Sequence, residues 1–254
     1  MNNRIGILDS GIGGLSILIE LRKVLPHEDY LFYEDSINNP YGSKSGAELL
    51  KIVSNIVDFL LEKECKIIVI ACNTATTACI KELRKMYPNT IFVGTVPAIK
   101  VAYDGNYKNT VLLSTPYTMN SKRVNELIND YHNANQKIIN VSGEDLANLI
   151  ELDETDKIDE LLDRLLNSYK ECDSVVLGCT HYPLIKDRIK RVVPHAELLD
   201  GSLGVANEVK HQLTINNLLN TKSTLGDIEI VNSKDKSLVD RSFEILNNWR
   251  YIWE

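Results

Sequence analysis

Two cysteines stand where a thiol can do chemistry. One lies in Ile70-Ala71-Cys72-Asn73-Thr74-Ala75 and the other in Leu177-Gly178-Cys179-Thr180-His181-Tyr182-Pro183. Each closes an apolar run and immediately precedes a stretch read as helix. In open α/β sheets, ligands bind at the carboxyl ends of the strands. A helix start also favours the thiolate over the thiol. Asn73, Thr74 and Thr180 offer N–H and side-chain donors to a carboxylate at the same places. The remaining cysteines, Cys65, Cys79 and Cys172, fall within or beside helical stretches and read as small buried hydrophobes. Five cysteines, an odd number with no C-x-x-C pair, exclude a disulfide framework, a zinc ribbon and a thioredoxin-type site. The five histidines are scattered and no H-E-x-x-H occurs, so no metal is expected.

Two other segments have functional composition. Asp9-Ser10-Gly11-Ile12-Gly13-Gly14 follows the first apolar run, and its glycines let the backbone approach a ligand closely. It matches neither the phosphate loop G-x-x-x-x-G-K-S/T nor the dinucleotide pattern G-x-G-x-x-G. Asp9 would repel a phosphate and attract an ammonium, which favours an amino acid over a nucleotide. Asn39-Pro40-Tyr41-Gly42-Ser43-Lys44-Ser45 is a rigid turn ahead of a helix. Tyr41 and Ser43 bring hydroxyl groups there, and the backbone can cap a second carboxylate. An ordinary Pro-Gly turn remains an equal alternative.

The elements that must position these residues alternate along the chain. Ile5–Leu8 reads as a strand, 14–25 as a helix and 46–63 as a strongly amphipathic helix. Ile67-Ile68-Val69-Ile70 is β-branched or apolar throughout, as a strand buried on both faces should be. A helix from Thr74 to Met86 and a strand at Ile91–Val93 follow. The pattern then restarts. Strands are expected at Thr110–Leu113, Ile138–Val141 and Ser174–Leu177. Helices are expected around Val124, Leu127, Ile128 and Tyr131, then from Ile158 to Tyr169, with Pro183 opening another. Such alternation implies parallel sheets covered by helices. The spacing from Asp9 to Ser114 nearly equals that from Cys72 to Cys179, which suggests a duplicated unit of roughly 100 residues. A strand-then-helix run after residue 207 completes one of the two sheets, and periodicity does not say which.

The bulk properties limit the function classes. The chain has 254 residues, a length that accommodates two such units. Its net charge is −7 with no concentrated basic stretch, which argues against nucleic acid as the primary ligand. No apolar run reaches the roughly 18 residues that span a bilayer. Met1-Asn2-Asn3-Arg4 leads straight into a strand, with no room for a signal peptide, so a cytoplasmic protein without membrane partners is expected.

Taken together, four segments resemble the glutamate racemase family. They are Gly6–Leu15, Pro40–Ser45, Ala71–Ala75 and Leu177–Leu184, in the family's order and at its distances; the likeness continues through Leu198-Leu199-Asp200-Gly201-Ser202. The family interconverts L- and D-glutamate without pyridoxal phosphate or metal and supplies D-glutamate for bacterial peptidoglycan. The resemblance implies two similar doubly wound α/β domains related by a pseudo-twofold axis, with the active site in the cleft between them. It assigns residues 1–95 plus 207–254 to the first domain and 96–206 to the second. It makes Cys72 the base for D-glutamate and Cys179 the base for L-glutamate, with Asp9 assisting the first thiol and His181 the second. Ser10, Tyr41, Gly42, Asn73, Thr74, Thr115, Thr118 and Thr180, with Asp9, match substrate-contacting positions. Glu151 matches the residue that positions the histidine. A homodimer and no cofactor are also implied. The pattern departs from the family at Phe32–Asn39, at Ser142-Gly143, where Cys-Pro is frequent, and at Thr95–Lys100. An aspartate racemase or another two-thiol racemase is the nearest alternative, although these usually carry Glu where His181 stands. A non-catalytic amino-acid sensor is the alternative from another class, and it has no need of paired thiols.

Overall fold

A computed structural model describes residues 4–131 and 135–248. Met1-Asn2-Asn3, on which the expectation about a signal peptide partly rests, lies outside the described residues. Along the chain run β1 (Arg4–Asp9), α1 (Leu15–Val24), β2 (Tyr30–Glu34), α2 (Gly46–Glu62), β3 (Cys65–Ile70), α3 (Asn73–Met86) and β4 (Phe92–Gly94). Then come α4 (Ile99–Asp104), β5 (Asn109–Ser114), α5 (Pro116–Met119), α6 (Lys122–Tyr131), β6 (Lys137–Ser142), α7 (Leu146–Glu151), α8 (Thr155–Leu166), β7 (Ser174–Gly178), α9 (Lys186–Val192) and β8 (Glu197–Leu199). The chain closes with α10 (Ser202–Ile215), β9 (Ile228–Asn232) and α11 (Ser237–Asn248).

These elements form two compact units, Met1–Thr95 with Ser202–Glu254, and Val96–Gly201. The first holds a five-stranded sheet in the order β4-β3-β1-β2-β9, the second a four-stranded sheet in the order β6-β5-β7-β8. Every pairing in both is parallel. Matching β1 with β5, β2 with β6, β3 with β7 and β4 with β8 gives one strand order in both sheets, so the repeat suggested by the spacing is a repeat of topology. β9 is the extra strand. It pairs with β2, Phe32 opposite Ile230, so the C-terminal run completes the first sheet. The return begins at Ser202, where α10 starts, earlier than the boundary expected at 207.

Local chemistry explains the elements beside the site. β1 and β3 bury Ile5, Ile7, Leu8, Ile67, Ile68, Val69 and Ile70 completely, as central parallel strands covered on both faces must. Ser45 caps α2 through a reciprocal capping box with Glu48, a Ser-x-x-Glu signature that fixes where the turn at 39–45 ends. The C-terminal return is tied down by a buried ion pair. Lys66 Nζ lies 2.6 Å from Glu28 Oε2 and 2.7 Å from the Leu218 carbonyl, while Glu28 Oε1 accepts the Asn220 N–H at 2.7 Å. Such a pair holds only when its remaining hydrogen bonds are satisfied, as these are.

Several expectations need correction. The aromatic run Tyr30-Leu31-Phe32-Tyr33 forms β2, which the apolar pattern did not single out. Cys65, just after α2, opens strand β3. Pro183 is the second residue of a short 3-10 turn, Tyr182–Ile185, and α9 begins only at Lys186. Tyr131, expected on the apolar face of its helix, is 36% exposed. Among the described residues no helix is long and apolar enough to cross a membrane.

Candidate active site

In the first unit the site is built at the carboxyl ends of β1, β2 and β3. Asp9 is the last residue of β1 and is fully buried. Its Oδ2 accepts the Gly14 N–H at 2.8 Å, which holds the glycine turn against the carboxylate. A Cβ at Gly14 would lie 2.8 Å from Asp9 Cβ and from the Phe32 ring, so only glycine permits that approach. Cys72 is buried and occupies the N-cap of α3, where the partial positive charge of a helix start gathers. Its Sγ lies 3.9 Å from Ser10 Oγ. Asn73 and Thr74 follow in the first turn, both buried, and Asn73 Oδ1 has no hydrogen-bond partner. A buried acceptor left unpaired costs free energy unless a ligand supplies the donor.

Tyr41 joins the same group. It is 2% exposed and its hydroxyl donates to Asp35 Oδ2 at 2.7 Å. Burial first, then the charge and hydrogen bond of Asp35, with smaller effects of Cys72 and Asp9, raise its phenol far above the ordinary range. Tyr41 is therefore a donor held on Asp35, within electrostatic reach of Cys72. Gly42 lies in the same short turn. The Ser43 hydroxyl turns back onto the Pro40 carbonyl at 3.1 Å and is exposed, which leaves it a turn residue.

In the second unit the matching strand end, after β7, carries Cys179, also buried. The sequence placed this thiol directly before a helix. Instead a turn intervenes, and the partner of the sulfur is a histidine. His181 Nδ1 lies 3.7 Å from Cys179 Sγ, and His181 Nε2 lies 2.6 Å from Glu151 Oε1. Burial by itself would lower the basicity of this fully buried imidazole. The hydrogen bonds and negative charge of Cys179 and Glu151 outweigh it and hold His181 well above its usual 6.5. Glu151 is delivered by the last residue of α7. Thr115 caps α5, accepting the Thr118 N–H at 3.3 Å and donating to Thr118 Oγ1 at 3.0 Å. Thr180, buried, separates Cys179 from His181.

In the first unit Ser10, Tyr41 and Asp9 gather around Cys72, with Asn73 and Thr74 next to it in the chain; in the second, His181 joins Cys179 to Glu151, with Thr180 between Cys179 and His181 in the chain. Asp35 and the Tyr182 hydroxyl join the site through partners that sequence does not reveal. Asp35 follows β2 and is signalled only by a carboxylate next to an apolar aromatic run. Tyr182 sits within a segment already marked, but its partner, Gly143, is distant in sequence. Burial pushes the Cys65 thiol up to about 11 and the Cys79 thiol up to about 12, and raises that of Cys172. Among the described residues no group of three or more His, Cys, Asp or Glu could hold a metal ion.

Residues 28–207 match the family model described as Asp/Glu/Hydantoin racemase. A glutamate racemase of Clostridium botulinum is 38% identical over 254 residues, covering 97% of this chain and 98% of the relative. One from Clostridium kluyveri is 40% identical over 250 residues, covering 95% and 96%. Among solved structures, Escherichia coli glutamate racemase in complex with L-glutamate and the activator UDP-MurNAc-ala superposes with a TM-score of 0.82 at 28% identity, over 96% of this chain and 95% of that one. The Francisella tularensis glutamate racemase in complex with D-glutamate gives 0.80 at 28% identity, over 97% and 95%.

Proposed function

The chain belongs to the Asp/Glu/hydantoin racemase family, in company with its glutamate racemases, and on that premise we propose how its residues interconvert L- and D-glutamate. The enzyme is an isomerase of the amino-acid racemase class, and D-glutamate made by such enzymes serves peptidoglycan synthesis. The observation that carries the mechanism is the matched placement of Cys72 and Cys179 at equivalent strand ends of two sheets with one strand order.

Racemisation requires a planar carbanion and one acid/base group on each of its faces. A single base would mostly return the proton to the face it left. An α-proton is very weakly acidic, so its removal calls for a tuned, desolvated base. In the proposed scheme the Cys72 thiolate takes the α-proton of D-glutamate and the Cys179 thiol delivers one to the opposite face. With L-glutamate the roles reverse. Asp9 and the Asn73 side chain draw in the substrate ammonium, which supplies the donor that Asn73 Oδ1 lacks. Ser10, Tyr41, Gly42, Thr74, Thr115, Thr118 and Thr180 offer hydroxyl and backbone donors to the two carboxylates. His181, held by Glu151, supports Cys179. The scheme calls on neither pyridoxal phosphate nor a metal. We place the reaction in the cytoplasm and the enzyme in a homodimer, as the family resemblance implies.

Optical rotation of L-glutamate tests the proposal, using protein dialysed against a chelator and free of added pyridoxal phosphate. Rotation decays to zero with the parent protein and persists with Cys72→Ala and with Cys179→Ala, both of which keep the parent's circular dichroism. Sustained racemisation by either variant removes that cysteine from the mechanism. Loss of parent activity on dialysis, restored by zinc, rules out the thiol-only scheme.

A further inference from the structure

Tyr182 follows His181 directly and has no part in the scheme above. It is completely buried, and its backbone N–H closes a turn on the Cys179 carbonyl at 3.1 Å. Its hydroxyl crosses to another segment and donates to the Gly143 carbonyl at 3.1 Å. That same oxygen accepts the N–H of Leu146 at 3.2 Å, and Leu146 is the first residue of α7. Gly143 is anchored in turn, its N–H donating to the Ser114 carbonyl at the end of β5 at 2.8 Å. One carbonyl therefore joins the turn that carries Cys179 and His181 to the helix that carries Glu151. The fit is close. A Cβ on residue 143 would lie 2.3 Å from the Tyr182 hydroxyl oxygen and 3.0 Å from Cζ. The phenol therefore occupies room that a side chain at 143 would deny it. Burial, then the charge of a nearby Cys179 thiolate, keep the phenol protonated and so always a donor.

We propose that Tyr182 is a positioning residue for the Cys179 half of the reaction, its hydroxyl on the Gly143 carbonyl fixing the Cys179–His181 turn against the helix that presents Glu151. The inference rests on the assignment of Cys179 to L-glutamate. Its physical content is registration. The His181–Glu151 hydrogen bond spans two segments, and small misplacements of an acid/base group cost large factors in rate.

The test uses α-deuterated L- and D-glutamate as substrates for the intact enzyme. Tyr182→Phe keeps the ring, and Gly143 keeps its Leu146 donor, so the fold is retained. Its kcat falls about tenfold. The primary isotope effect rises with deuterated L-glutamate, where Cys179 breaks the labelled bond, and falls with deuterated D-glutamate, where Cys72 does. His181→Asn skews the two effects in the same sense. Gly143→Ala reproduces the skew by displacing the phenol, and Gly143→Ala combined with Tyr182→Phe is no worse than Gly143→Ala alone, because the clashing oxygen is gone. A purely structural loss would lower activity and leave both isotope effects at their parent values. That result with Tyr182→Phe, while His181→Asn still skews them, overturns the role of Tyr182 alone. If His181→Asn also leaves them unmoved, the assignment of Cys179 and His181 to the L face fails, and the proposal with it.

Discussion

His181 is held between the Cys179 sulfur and the Glu151 carboxyl group, and its behaviour with pH follows from that position. The imidazole is buried, a setting that penalises charge, yet Cys179 on one nitrogen and Glu151 on the other favour the protonated ring. Because its folded pKa is raised above 6.5, the stabilisation it brings is fully present below that value and is lost as pH rises through the folded value. Glu151→Gln weakens the support. The variant is expected to be less stable by about 1–3 kcal/mol at mildly acidic pH, with the deficit shrinking as the solution becomes alkaline. The alkaline limb of L-glutamate turnover should also move to lower pH, since a neutral imidazole no longer supports the thiolate beside it. Denaturant melts and rate profiles across pH check both effects. A deficit that grows with pH, or an unmoved alkaline limb, contradicts the assignment. Cys72 caps a 14-residue helix, so the partial positive charge of a helix start acts on that thiol.

At the scale of elements, the site depends on where two strands stop. β7 must bring Cys179 close against β5, and Gly178 makes the approach possible. A Cβ on residue 178 would lie 2.6 Å from Ser114 Cβ and 3.0 Å from the Leu113 carbonyl oxygen, and the latter, being backbone, cannot swing aside. Gly178→Ala is therefore expected to cost about 1–3 kcal/mol in overpacking and to lower kcat at least tenfold by displacing the adjacent thiol. Thermal unfolding and steady-state kinetics measure the two. A variant with parental kcat would show that the strand end tolerates the shift. The strand ends with their thiols were legible in the sequence, because Ile67–Ile70 and Val175–Leu177 are continuous apolar runs that only a doubly covered strand requires. β2 was not, since Tyr33, Glu34 and Asp35 blur its end. Glu34 is buried, and Ser242 and Asn232 arrive from the far end of the chain to donate to it at 2.6 and 2.9 Å. The turn after Cys179 was misjudged for a similar reason. Pro183 fits the start of an α-helix and a 3-10 turn equally well, and the choice is tertiary. Asp35 and Tyr182 became visible only through their partners, Tyr41 and Gly143.

At the scale of the molecule, one topology occurs twice and is used unequally. Both units place a buried thiol just beyond the strand at the β3 or β7 position, and both end the neighbouring β1 or β5 strand with a buried polar residue, Asp9 in one and Ser114 in the other. The near-equal spacings made this repeat readable from the sequence. The extra strand β9 was placed by the family resemblance, since nothing local in residues 228–232 names β2 as their partner. The central claim is that the repeat supplies one thiol to each face of the substrate's α-carbon. Full racemisation conceals this, because both thiols act in every turnover and the equilibrium is symmetric. Elimination of HCl from the enantiomers of β-chloroglutamate exposes it. One base removes the α-proton, the electron pair of the broken C–H bond forms a double bond to the β-carbon, and chloride leaves. Chloride release should persist with the L-configured compound and be lost with the D-configured one in Cys72→Ser, and the preference should invert in Cys179→Ser. If both variants lose both enantiomers equally, the two thiols do not address opposite faces and the account is wrong.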